Sequence, residues 1–143
     1  MPDYKLQSRI DKAREHFAGP YNCAQSVASA FSDILGKNDE EISRLMSGFG
    51  FGMGGERSVC GAVSGGIFVI SSTVEDPCQR EELYDKVYYL VNRFKSLNNS
   101  HLYCLDLVGE NPTNEEFQLT CPVLIEQVVR EVGKILSVAS PND

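Results

Sequence analysis

The sequence predicts an all-α fold, a single compact bundle of about five or six helices with a glycine-rich loop before a central buried helix. Three observations predict it. Capping-box pairs recur at Asn22/Gln25, Asn38/Glu41 and Thr113/Glu116, apolar residues between them repeat at helical spacing, and only Ile67-Phe68-Val69-Ile70 resembles a strand. With 143 residues, 42% of them hydrophobic, the chain can bury one core and needs no second domain. One domain is expected over 1–143, with an N-terminal helix and linker at 1–20 and a cysteine-bearing core at 22–138.

The elements follow in order. Lys5 to about Phe17 form a polar amphipathic helix that Gly19-Pro20 stops. Asn22 with Gln25 opens a second helix whose apolar side is Val27, Ala28, Phe31, Ile34 and Leu35, and Gly36 ends it. Asn38 with Glu41 opens a short helix through Ile42, Leu45 and Met46, running into the glycine-rich stretch Gly48 to Gly55. A lone strand at 67–70 would leave its backbone groups unpaired in the core, so Cys60 to Thr73 reads as a buried helix. Gly61 with Gly65, and Ala62 with Gly66, give it a face with little side chain that other helices can approach.

Asp76, Pro77 and Gln79 supply an N-cap, a first-turn proline and a capping acceptor for a long helix that buries Leu83, Val87, Leu90, Val91 and Phe94. A helix around His101 to Val108 ends at Gly109, and Thr113 with Glu116 suggests one further turn. The last helix is expected to start with Pro122 in its first turn and to bury Leu124, Val128, Val132, Ile135 and Leu136; beyond Val138 the tail should fray.

The formal charge of -7 and pI near 4.8, with no Lys/Arg cluster, argue against nucleic acid and anionic lipid as partners. The longest weakly polar stretch, Val59 to Val74, carries three glycines and three serines and falls short of the about 20 apolar residues of a membrane helix. No membrane insertion is expected. The N-terminal residues lack an apolar export segment, which favours the cytoplasm.

There, five cysteines need a reason other than lasting disulfides. None forms a Cys-x-x-Cys pair, and the spacings match neither zinc fingers nor common ferredoxin runs. Any one of them alone is as well explained as a small buried hydrophobe. Their placement is more informative. Cys23 follows the cap Asn22, Cys60 follows Ser58, and Cys121 precedes Pro122, so three stand at expected helix N-termini, where the helix dipole favours thiolate. Cys104 is expected one turn inside its helix. Cys78 also follows a cap, so helix-end position does not separate it from the others.

Gly50, Gly52 and Gly55 satisfy Gly-x-Gly-x-x-Gly, but a short helix rather than a strand precedes them, which rules out a dinucleotide fingerprint. Backbone at Gly52, Gly54, Gly55 and Gly61 can instead turn N–H groups toward an anion or cluster sulfurs; a flexible connector is the competing reading. His101, three residues before Cys104, and His16 fit surface histidines better than ligands.

In order, Asn22-Cys23-Ala24-Gln25, the glycine-rich run, Cys60-Gly61-Ala62-Val63-Ser64-Gly65-Gly66, Cys104 and Cys121 resemble the C_GCAxxG_C_C family, whose redox assignment itself rests largely on its cysteines. The resemblance runs from about Asn22 to the last helix. It implies a site made of Cys23, Cys60, Cys104 and Cys121, with Cys78 outside it. A related domain in multihaem split-Soret cytochromes is associated with an iron–sulfur centre; this chain has no Cys-x-x-Cys-His sequence, so covalent haem is not expected.

Three functions compete. The first is an electron carrier or redox sensor whose four thiolates hold an iron–sulfur cluster or another thiophilic metal. The second is a cofactor-free thiol–disulfide oxidoreductase with Cys60 as a low-pKa attacking thiolate. The third is a non-catalytic helical interaction protein with buried cysteines. The first two imply a redox protein partner, and a homo-oligomer is compatible with all three.

Overall fold

The computed structural model describes residues 3–139, with side chains from 5 to 137. Its helices are α1 (Asp3–Ala18), α2 (Cys23–Ser29), α3 (Ser32–Leu35), α4 (Asp39–Met46), α5 (Gly50–Met53), α6 (Gly61–Ser72), α7 (Arg80–Leu97), α8 (Cys104–Val108) and α9 (Asn114–Ala139). Of these, α5 is a kinked turn, with Phe51 and Gly52 in the left-handed region. The other eight exceed the expected five or six, while the all-α class holds; no strand occurs among the described residues. The segment 67–70 lies inside α6, as its missing strand partner requires.

Both N-terminal capping boxes form. Asn22 and Gln25 exchange side-chain-to-backbone bonds of 2.8 Å each, and Asn38 with Glu41 does the same at α4. The second helix is shorter than expected because Arg9 intervenes. Its buried guanidinium donates to the Ala30 carbonyl at 2.8 Å and to both Asp33 oxygens, at 2.7 and 2.9 Å, holding the Asp33 carboxyl below its ordinary range. Phe31 then leaves helical geometry, α3 starts afresh, and Ile34 turns to solvent.

α6 is the central helix. Residues Gly61 to Gly66 are all buried, and it packs on α2, α7 and α9. A Cβ at Gly65 would stand 2.7 Å from the Ala24 carbonyl oxygen, and one at Gly66 would stand 2.7 Å from Val128 Cγ1, so the absence of these two side chains sets the helix separations. Phe31, Val63, Ile70, Leu90, Phe94, Ile125 and Val128 fill the core around it.

Three helix starts differ from expectation. α7 begins at Arg80, because Asp76 spends its carboxylate on the Cys78 N–H, at 2.9 Å, in a turn that also contains Pro77. α8 begins at Cys104 instead of including His101, because 102–105 pairs with 57–60: Cys60 N–H bonds Leu102 O at 3.0 Å, Cys104 N–H bonds Ser58 O at 2.7 Å, and Val59 bridges Tyr103. α9 begins at Asn114, where Thr113 Oγ1 accepts the Glu116 N–H at 3.1 Å, and continues through Pro122. The proline thus sits in a helix interior and removes a donor from the Gln118 carbonyl, a cost offset by the long buried face that α9 presents to α1 and α6. The expected frayed tail falls, from residue 140 on, outside the described residues.

Candidate functional site

Cys23, Cys60, Cys104 and Cys121 line one cavity of about 430 Å³. Each arrives by a different route. Cys23 is the first residue of α2, behind the Asn22 cap, and Cys60 is the N-cap of α6. The close approach of α2 to α6 brings these two together: a Cβ on Gly61 would overlap Cys23 Sγ. Cys104, the first residue of α8, is set beside Cys60 by the pairing of 57–60 with 102–105. Cys121 comes from the interior of α9, about two turns past its start, and not from a helix N-terminus as its sequence context suggests. Cys60, Cys104 and Cys121 are buried and Cys23 is partly so.

The remaining sequence candidates fall elsewhere. Cys78 is exposed in the turn before α7 and does not line the cavity. His16 stacks on Tyr21 and meets Asp39 Oδ2 at 3.2 Å, and His101 is exposed outside the cavity. Of the four glycines expected around the site, Gly61 lines the cavity. Gly52 is buried against Arg57 and Ser58, while Gly54 and Gly55 are exposed and away from it.

A family model described as "Putative redox-active protein (C_GCAxxG_C_C)" matches residues 21–135, most of the chain. The chain belongs to this family. No curated protein and no solved structure matched it. Where the family name prints Gly-Cys-Ala, this C_GCAxxG_C_C protein reads Cys60-Gly61-Ala62, and the contact of Gly61 with Cys23 explains why a glycine stands there.

The electrostatics of this C_GCAxxG_C_C site correct the helix-end argument. Burial pushes the Cys60 thiol far up, outweighing backbone hydrogen bonds from Ala62 and Val63 at the start of α6. Burial also raises Cys23, against hydrogen bonds from Phe51 and Ala24, and takes Cys121 to about 12. A low-pKa Cys60 nucleophile is therefore not what the fold provides. The helix-end N–H groups are present, but removing the sulfurs from water costs their anions more than those groups return. The sulfurs also raise one another: Cys23 acts on Cys60 and Cys121, and Cys104 acts on Cys23 and Cys121.

Three neighbours escaped the sequence reading. Arg57 Nε donates to Cys104 Sγ at 2.9 Å, and Phe51 packs edge-on against Phe117 at 5.0 Å at the cavity wall. Phe51 holds a left-handed φ of 52° and directs its N–H to Cys23, so the glycine-rich run reaches the site through a non-glycine residue. The available sequence signal for Arg57 was a cation three residues before Cys60, inside a glycine-rich approach. Among the described residues no three His, Cys, Asp or Glu side chains are drawn closely enough together to hold a metal ion.

Proposed function

We propose that Cys23, Cys60, Cys104 and Cys121 together bind an iron–sulfur cluster, or another thiophilic metal centre, and that the protein transfers electrons or senses redox state through it. The observation that carries this reading is the shared cavity: four cysteines from four separate elements line one space, and the fifth does not. Four thiolates are the usual ligand set of such clusters. Backbone N–H groups of Phe51, Ala24, Ala62 and Val63, with the Arg57 guanidinium, supply hydrogen bonds to sulfur of the kind that tune a cluster. When bound, the cluster supplies a one-electron couple, exchanged with a redox protein partner.

The chain's own residues bind and shield. Cys23, Cys60 and Cys121 are held protonated near neutrality, so loading must release their protons, and uptake should strengthen as pH rises. Phe17, Phe51, Phe117 and Leu124 form apolar wall and limit water at the sulfurs. Thiol–disulfide exchange through Cys60 is the weaker reading, since its thiol is both buried and raised.

The test is anaerobic reconstitution with ferrous iron and sulfide, scored by visible absorbance and by bound iron and sulfide. The wild type should colour. Serine at 23, 60, 104 or 121 should each lose most of the occupancy, since oxygen is a poorer partner for soft metals, and Cys78→Ser should retain it. A colourless wild type, or five serine variants behaving alike, would sink the proposal.

A further inference from the structure

Among the described residues, no Lys, Arg, His, Asp or Glu lines the cavity itself. One cation nevertheless reaches its sulfurs from the side. Besides the 2.9 Å bond from Nε to Cys104 Sγ, Arg57 donates through Nη2 to the Gly109 carbonyl at 2.6 Å and to the Cys104 carbonyl at 3.3 Å. Its guanidinium carbon lies 5.7 Å from the centre of the Phe117 ring. Its backbone is equally constrained: the N–H bonds Phe51 O at 3.1 Å, the carbonyl accepts the Leu105 N–H at 3.1 Å, and φ is 66°, a left-handed value that costs a non-glycine residue energy. An arginine serving only solubility needs no such fixing. The field of Arg57 also reaches Cys121, so one fixed charge bears on two of the four sulfurs.

We infer that Arg57 is a positioning residue that holds Cys104 in the site and sets the reduction equilibrium of the centre the four cysteines bind. The inference rests on the cluster reading above. Reduction adds one negative charge to a centre already surrounded by thiolates, and a cation hydrogen-bonded to one of the sulfurs stabilises the added charge. Arg57 therefore raises the midpoint potential. The fork geometry matters as well as the charge, because one planar group makes the Nε contact to sulfur and the two Nη2 bonds to carbonyls together. Lysine has a point charge and no fork.

The experiment is a redox titration of the reconstituted protein, comparing wild type with Arg57→Gln, Arg57→Lys and Arg44→Gln. Arg44 pairs with Glu40 on the exposed face of α4, so its variant makes the same change in net charge away from the site. Arg57→Gln should lower the reduction equilibrium by about tenfold, which is about 59 mV more negative for a one-electron couple. Arg57→Lys should shift it less and in the same direction, and Arg44→Gln should match the wild type. If Arg57→Gln keeps the wild-type circular dichroism but takes up no cluster, Cys104 has lost its position as inferred, and the lysine variant then decides the potential. A coloured wild type whose potential is unchanged by Arg57→Lys and by any loadable Arg57→Gln overturns the role of Arg57 and leaves the cluster standing. A wild type that takes up no cluster overturns both.

Discussion

Replacing Gly61 by alanine adds one methyl group where the structure leaves no room for it. The new Cβ would overlap Cys23 Sγ, stand 2.8 Å from the Phe49 carbonyl oxygen and 3.4 Å from the Ala24 nitrogen, while real Cβ contacts essentially never fall below 3.0 Å. The sulfur can swing away by a change of rotamer. The Phe49 carbonyl belongs to the 3-10 turn Ser47–Phe49 and can yield only if that turn shifts. Overpacking of this kind costs about 1–3 kcal/mol. Alanine recovers part of that through helix propensity, by less than the roughly 1 kcal/mol it gains in a helix interior, because Gly61 is the first helical residue. The net loss is about 1–2 kcal/mol, and for a domain of this size each kcal/mol moves Tm by roughly 2–4 °C. Thermal unfolding followed by circular dichroism should therefore place Gly61→Ala about 2–8 °C below wild type. Gly48→Ala is the control, because nothing lies within 4 Å of the place its new methyl group would take and its φ is not left-handed. It should stay within about 0.5 kcal/mol of wild type. Equal melting of Gly61→Ala and wild type would refute the close packing of the start of α6 against the Ser47–Phe49 turn.

Two further outcomes follow from the site. Thiols in the unfolded chain ionise near about 8.5, whereas burial raises Cys23, Cys60 and Cys121 in the folded state, Cys121 to about 12. Because the folded values are the higher ones, the unfolded chain gives up these protons first. Stability is full below about pH 8.5 and is lost as pH rises toward the folded values, by up to about 1.4 kcal/mol per pH unit for each thiol. The Tm of the protein without added iron or sulfide should fall through this range and fall less steeply in Cys60→Ser; identical slopes in the two proteins would contradict the burial of these thiols. Valine at Gly52 or Gly54 separates strain from collision, since both residues have left-handed φ, 64° and 65°, which costs about 1–2 kcal/mol in either variant. At Gly52 the Cβ would also strike backbone, 2.6 Å from Ser58 N on the segment that leads to Cys60, whereas at Gly54 it would stand 3.3 Å from the Gly48 carbonyl oxygen; if the proposed cluster forms, Gly52→Val should lose iron and sulfide uptake and Gly54→Val should keep it. Equal loss of loading in both would show that the whole run, and not the Gly52 contact, shapes the site.

Much of the fold was legible because its signals are local. A capping box needs only residues three apart, and Asn22/Gln25 and Asn38/Glu41 form as read. The helical reading of Ile67 to Ile70 followed from the lack of any partner strand, and the small residues at 61, 65 and 66 do let α2, α7 and α9 approach. Family membership was equally legible, since an ordered set of motifs survives whatever the chain does between them. Helix starts were less so where distant chain competes for backbone groups. Residues 57–60 take the N–H groups of Cys104 and Leu105 and so move the start of α8, and Asp76 prefers a turn with Cys78 to capping α7.

The sequence by itself determined the helical class, the family and the inventory of five thiols. Tertiary structure decided which thiols share a space and in what state they stand. Cys121 joins the cavity from inside α9 although no helix begins there, and Cys78 is left in solvent despite a cap-like context. A helix N-terminus favours anionic sulfur at Cys23 and Cys60, yet burial raises both, because desolvation depends on everything packed around the atom while a helix dipole depends on one element. Arg57 became part of the site for the same reason: its bonds to Cys104 and Gly109 span about fifty residues of chain, a distance over which neither composition nor periodicity carries information.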